Sequence, residues 1–310
     1  MADLKVSVAG VEFHNPLIAA SGTFGFGREY AEFYPLSAFG GISSKGITLK
    51  ARPGNPAPRI AEAPGGMLNA VGLQNPGVDH FIEKDLPWLR EQGVTIIANI
   101  AGNTPEDYCA MAEKLNDTDI DMIEMNISCP NVKQGGVQFG TSCAGVEDIT
   151  KAVRAHCKKP LMVKLSPNVT DISEIALAAE SAGADAVSMI NTLTGMRIDI
   201  NTKRPIIHNN TGGFSGPALL PIAVRMVWQT YQKVRIPIVG LGGAARGLAD
   251  GVAGQPEGEN PHCGAGRHLH LAGRRGNAAC RCDGAADRHR AVHRPVCARE
   301  DYRRAYKLHG

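Results

Sequence analysis

Short apolar runs alternate along the chain with longer stretches whose apolar residues recur at helical spacing. The opening pair, residues 4–8 and 11–13, is split by Ala9-Gly10 and predicts a β-hairpin. Seven further runs predict strands: 17–20, 41–44, 94–100, 120–125, 161–165, 186–190 and 236–241. Amphipathic segments lie between most of them, clearest at 78–91, 105–115, 147–157, 172–182 and 217–231. Strands alternating with helices mean βαβ units and a parallel sheet. Seven regularly spaced strands favour an α/β (β/α)8 TIM barrel over a doubly wound sheet. The doubly wound fold asks for a Gly-x-Gly-x-x-Gly turn after the first strand, and Ser21-Gly22-Thr23-Phe24-Gly25-Phe26-Gly27 does not supply it.

In such a barrel the polar residues following each strand gather at one face, where the active site sits. They are Ser21, Lys45-Gly46, Asn99, Asn126 with Cys129, Lys164, Asn191-Thr192 and Gly242-Gly243. Two lysines, a thiol and several amides around one cavity suit a planar, anionic, polar heterocycle. They form neither a metal-binding cluster nor a Ser–His–Asp set. Asn126-Ile127-Ser128-Cys129-Pro130-Asn131 sets a thiol just past a strand end, between amides and beside a rigid proline, and the loop glycines Gly135, Gly136 and Gly140 follow. A free cysteine is usually a buried small hydrophobe, but these neighbours are polar. Val163 and Leu165 flank Lys164 within a strand, so its side chain points opposite to theirs, into the barrel.

Composition changes the picture in one place. With 310 residues, 43% of them hydrophobic, the chain suits one large domain. No apolar stretch reaches the roughly 18 residues of a membrane helix, Met1-Ala2-Asp3-Leu4-Lys5 carries no secretion pattern, and eight cysteines show no disulfide framework. The expected location is the cytoplasm. The net charge of +3 is uneven: residues 1–243 hold 21 Lys+Arg against 23 Asp+Glu (−2), and residues 244–310 hold 12 against 7 (+5).

Residues 1–243 resemble the FMN-binding catalytic subunit of the class 1 dihydroorotate dehydrogenases, and more closely the class 1B type. The resemblance rests on residues 19–25, Ser44-Lys45-Gly46-Ile47-Thr48, Asn69-Ala70-Val71-Gly72-Leu73-Gln74-Asn75-Pro76-Gly77 and the cysteine loop. Val163-Lys164-Leu165-Ser166-Pro167, Asn191-Thr192, residues 212–217 and Gly240-Leu241-Gly242-Gly243 add to it. The cysteine loop together with the Asn69 loop is highly specific, whereas paired glycines alone are weak. Lys133-Gln134-Gly135-Gly136 favours class 1B over the fumarate-using class 1A, and the Asn69 loop speaks against a barrel that reduces dihydropyrimidines.

The resemblance implies oxidation of dihydroorotate to orotate in UMP synthesis. Cys129 would be the base that removes the C5 proton, with a hydride passing from C6 to FMN. A free thiol titrates near 8.5, so the Lys45 charge and loop amides are expected to favour its thiolate. Lys45, Asn69, Gly72, Leu73, Asn126, Asn131, Asn191 and Thr192 would hold the substrate. Ser21, Lys45, Gly46, Asn99, Asn126, Lys164, Ile190, Gly216, Gly242 and Gly243 would hold FMN, with Lys164 near the N1 edge and Gly216, Gly242 and Gly243 at the phosphate. No metal site is expected. Electrons would reach NAD through a separate subunit carrying FAD and a 2Fe–2S cluster, in a heterotetramer built on a catalytic dimer, with no nucleic acid or membrane involved.

Residues 244–310 depart from the family. They hold eleven arginines and one lysine, six of the ten histidines and four of the eight cysteines, and neither isoleucine nor phenylalanine. Residues 268–271 are their best strand candidate. So abrupt a shift is what a GC-rich gene yields when read out of frame, and a frameshift near position 244 is the leading expectation. A basic tail that binds nucleic acid or a partner comes next. A zinc site from Cys263, His268, Cys280 and Cys282 comes last, because those spacings match no common pattern. The last βα units are therefore expected to be disrupted or missing after 243. That would leave the first and seventh barrel strands as open edges, with weak FMN binding and little activity, or an inactive product.

Overall fold

The computed structural model describes residues 4–128, 139–241 and, as backbone, 251–254. Its centre is a sheet that runs through seven parallel strands in chain order: β3 (Ile18–Ala19), β4 (Gly41–Ser43), β7 (Thr95–Ile100), β8 (Met122–Asn126), β9 (Leu161–Lys164), β10 (Ala186–Met189) and β15 (Ile238–Leu241). All seven are the strands predicted, and the TIM-barrel reading stands. Helices Pro105–Asn116, Cys143–His156, Ile172–Ser181 and Leu220–Tyr231 coincide with predicted segments and cover the outer face. Thr104 caps the first of them, accepting from the Asp107 amide in a capping box. The predicted helix 78–91 is broken into Val78–His80, a π-helical turn Phe81–Asp85 and Leu86–Glu91. Pro87 has no N–H to give the preceding turn, which widens the hydrogen-bonding register there.

Side chains alternate along each barrel strand, and the inward ones form layers. At the bottom Ile18, Ile97, Met122, Met162, Ala186 and Val239 pack together. The predicted hairpin, β1 (Val6–Val8) with β2 (Val11–Phe13), plugs this end through Val8 and Phe13, both at most 1% exposed. Each such buried side chain contributes about 1.5–3 kcal/mol of transfer free energy. Two residues further along the strands the interior turns polar: Ser43, Asn99, Glu124, Lys164 and Ser188 are all buried. The register aligns Asn99 with Glu124, and Lys164 with both Asn126 and Ser188.

A four-stranded antiparallel sheet is additional to the predicted elements. It joins β5 (Ile60–Ala63), β6 (Gly66–Asn69), β11 (Leu193–Met196) and β14 (Thr211–Ser215) in the order β11-β14-β6-β5. It comes from the excursions after β4 and β10, so it rises from the C-terminal end of the barrel. Thr211-Gly212-Gly213-Phe214-Ser215 has little apolar alternation, and one of its two partners, β6, lies far away in sequence. A second pair, β12 (Ile198–Asp199) with β13 (Arg204–Pro205), extends from the same region.

The edge of β15 is not open, which corrects the sequence expectation. Gly251–Gly254 forms β16, antiparallel to β15, with Leu241 opposite Gly251 and Ile238 opposite Gly254, and it lies against β3. Four small residues carry no period of their own; the unpaired N–H and C=O groups of β15 are the template for pairing. A (β/α)8 barrel places a parallel strand there. Residues 268–271 and the proposed zinc residues lie outside the described residues.

Candidate active site

Each predicted residue at the barrel mouth that the structure describes arrives from the C-terminal end of a strand or from the antiparallel sheet above it. Cys129, Asn131, Gly242 and Gly243 lie outside the described residues. The chain is described up to Ser128, one residue short of Cys129, and that end is firmly held. Asn126 Oδ1 accepts from Ser128 N at 3.3 Å and Ser128 Oγ at 2.9 Å. Asn191 Nδ2 donates to Ser128 Oγ at 2.5 Å and to Asn126 Oδ1 at 3.3 Å. The Asn126 carbonyl accepts from Tyr108 Oη at 2.8 Å. Asn126, Ser128 and Asn191 therefore form one network at the ends of β8 and β10.

Thr192 follows, its amide bonded to Asn191 Oδ1 at 2.8 Å and its carbonyl to Asn168 Nδ2 at 3.1 Å. Asn69 stands at the end of β6 and donates to the Gly213 carbonyl at 3.3 Å, which ties the two excursions together. A Cβ on Gly213 would collide with the Thr192 side chain. Gly72 and Leu73 both have positive φ (77° and 56°). Buried Asn75 holds this turn by donating to the Leu73 carbonyl at 2.7 Å and accepting from the Thr48 and Gly77 amides. Lys45 is half-buried, with its amide on the Gly25 carbonyl at 2.9 Å. Gly216, φ 132°, packs so tightly on Gly65-Gly66 that a Cβ would lie 2.5 Å from Gly66 Cα.

The polar layer beneath is where the site is chemically unfinished. Lys164 is 7% exposed and points into the barrel as its strand position predicts. Its ammonium has three donors, yet among the described residues its hydrogen bonding is one long contact, 3.5 Å to Ser21 Oγ. Among the described residues Asn99 Oδ1 is buried with no partner, while Asn99 Nδ2 donates to Glu124 at 2.5 Å. Such groups cost free energy unless something meets them. The polar layer thus holds a cation on β9 and a bare acceptor on β7, with β8 and its Glu124 between them. Gly46 lines the same place, since a Cβ there would come within 3.2 Å of Asn99 Oδ1. Ser21 is buried at the start of a short helix, and buried Ile190 follows β10.

The sequence reading missed Glu124, Ser43, Ser188, Ser128 and Asn168. Glu124, 1% exposed, accepts from Ser43 Oγ and Ser188 Oγ, each at 2.6 Å, and from Asn99. Burial pushes its carboxyl up, but the Lys164 charge and the Ser188, Ser43 and Asn99 hydrogen bonds outweigh that and hold it below the ordinary range. Alternation along Met122–Asn126 already placed Glu124 on the same face as Asn126, so the signal was present.

Residues 3–250 match the family model for dihydroorotate dehydrogenase. The chain belongs to the dihydroorotate dehydrogenase family. It is 58% identical over 245 residues to the dihydroorotate dehydrogenase B (NAD(+)) catalytic subunit of Alkaliphilus metalliredigens, covering 79% of this chain and 81% of that one. The same subunit of Bacteroides thetaiotaomicron is 57% identical over 244 residues (78% and 80%). That of Geobacter sulfurreducens is 53% identical over 247 residues (79% and 81%). These relatives place the chain in class 1B, and the class 1A and dihydropyrimidine-reducing alternatives give way. In dihydroorotate dehydrogenase terms, the unfinished layer lies under the Asn126–Asn191 network. No described helix is long and apolar enough to cross a membrane.

Proposed function

We propose that this chain oxidises dihydroorotate to orotate in pyrimidine biosynthesis, with FMN bound on the polar layer and substrate above it. The observation that carries the reading is a polar layer that holds both a buried, under-bonded Lys164 ammonium and an Asn99 Oδ1 without a partner among the described residues. The pyrimidine edge of a flavin, with carbonyl acceptors beside an N–H donor, suits both. When bound, FMN supplies the acceptor for the hydride that leaves C6 of dihydroorotate. Lys164 favours the negative charge that reduction brings to that edge. Asn99, Ser21, Gly46, Ile190 and Lys45 orient the ring, and Gly216 with Gly242 and Gly243 faces the phosphate. Asn69, Asn126, Asn131, Asn191, Thr192, Lys45 and the backbone of Gly72 and Leu73 hold the substrate carboxylate and ring amides. Cys129 takes the C5 proton. Electrons leave for NAD through a separate FAD and iron–sulfur subunit, on a catalytic dimer in the cytoplasm.

A second reading applies to the chain as written. The family match stops at 250, close to the change of composition at 244, and β16 runs against the direction a barrel strand takes. A frameshift product with a half-built phosphate site would hold FMN weakly. One experiment addresses both readings: titrate the apoprotein with FMN, then add dihydroorotate without oxygen and follow bleaching of the flavin. We expect weak binding, bleaching at saturating FMN, and a Cys129→Ala variant that binds FMN alike but bleaches about 10²–10⁴-fold more slowly. Bleaching at the wild-type rate in the variant refutes the base assignment. No bleaching at saturating FMN favours the inactive product.

A further inference from the structure

We propose that Glu124 is a positioning residue for the flavin chemistry: a buried counter-charge to Lys164 that holds the reduction potential down while fixing the Asn99 amide. The inference rests on the flavin reading of the site. Glu124 lies in the middle of β8, one inward position below Asn126, and is walled in by β4, β7 and β10 through Ser43, Asn99 and Ser188. Those three partners are neutral; Lys164, on the adjacent strand β9, is the charged group acting on it. No ion pair joins the two within 4 Å, so the carboxylate acts on the ammonium through the low-dielectric interior, where screening by water is weak.

The arrangement does two things. Asn99 Nδ2 is committed to Glu124, so the amide cannot turn over, and its oxygen is left bare. The Lys164 cation is also partly offset. A lone cation beside a flavin favours the reduced, more negative form; a nearby anion opposes it. A flavin that takes electrons from one partner and passes them to another needs a potential between the two, and a fixed buried pair sets that balance without depending on salt.

Glu124→Gln isolates the charge. Its amide oxygen can accept from Ser43 and Asn99, and its nitrogen can donate to Ser188 Oγ, so the packing is kept. With FMN saturating, the bound flavin in the variant should be at least tenfold easier to reduce, a rise of about 30 mV for the two-electron couple. Adding the charge change to a neutral background should act the same way, with Glu124→Gln/Lys164→Gln above Lys164→Gln. That second comparison serves if Glu124→Gln alone does not fold.

A flavin-free arm separates this idea from the flavin assignment. In the apoprotein, the folded carboxyl sits below its unfolded value, so its stabilisation is present above that value and is lost as pH falls through the folded one. The urea stability gap between wild type and Glu124→Gln should therefore hold steady from pH 7 down and shrink once pH falls below the unfolded value, near 4.3. A gap that does not change with pH overturns the counter-charge whether or not flavin binds. An unshifted potential with a pH-dependent gap overturns the tuning role. A pH-dependent gap in a protein that takes up no FMN sustains the Glu124–Lys164 coupling and sinks the flavin reading alone.

Discussion

Lys164→Met removes the ammonium and keeps most of the apolar stem. Lys164 is 7% exposed and Glu124 1% exposed, so solvent cannot replace the lost charge. Removing one member of a buried charged pair costs about 3–5 kcal/mol, because the other is left uncompensated. That range is for pairs in contact. Lys164 and Glu124 are not within ion-pair distance, and three hydrogen bonds still reach Glu124. The loss therefore falls toward or below the lower end, at about 2–3 kcal/mol. The assay is urea unfolding of the flavin-free protein at pH 7, where the midpoint falls and the slope is unchanged. The sign of the pH effect follows. In wild type the depressed carboxyl stabilises the fold above its unfolded value, near 4.3 for a glutamate. In the variant the unsupported carboxylate destabilises it and is relieved by protonation. The gap between the two proteins should then narrow between pH 7 and pH 5. A loss under about 1 kcal/mol at pH 7, or a gap that widens in acid, refutes the argument.

Two further substitutions test how the mouth is held. Tyr108→Phe leaves the Asn126 carbonyl without its 2.8 Å donor; it should cost about 1–3 kcal/mol in urea unfolding, and a cost near zero means that this bond does not anchor the end of β8. Gly213→Ala drives a methyl into Thr192; it should destabilise by about 1–3 kcal/mol and raise the KM for dihydroorotate, whereas an unchanged KM removes Thr192 from the substrate site.

The barrel was legible because its strands and helices each carry a local period: seven apolar runs became seven parallel strands in order. Lys164 was placed correctly by nothing more than the parity of Val163 and Leu165. The antiparallel sheet was not legible, since Gly66–Asn69 and Thr211–Ser215 are paired across well over a hundred residues and have no face of their own to declare. The helix at 78–91 read as continuous because apolar spacing does not register a missing amide at Pro87. Glu124 was passed over for a different reason: an acid within Met122–Asn126 looks like an interruption of a buried strand, and only the neighbouring strands reveal that four polar groups meet there.

The direction of β16 decides where the rest of the chain is attached. Leu241, at the mouth end of β15, faces Gly251, and Ile238, at the plugged end, faces Gly254. The polypeptide thus crosses the barrel wall downward and reaches Gly254 on the side of the N-terminal hairpin. An affinity tag, a fluorophore or a fused domain attached directly after Gly254 would start at the floor of the barrel, a full strand length from the mouth. A reporter there would leave the barrel mouth unobstructed.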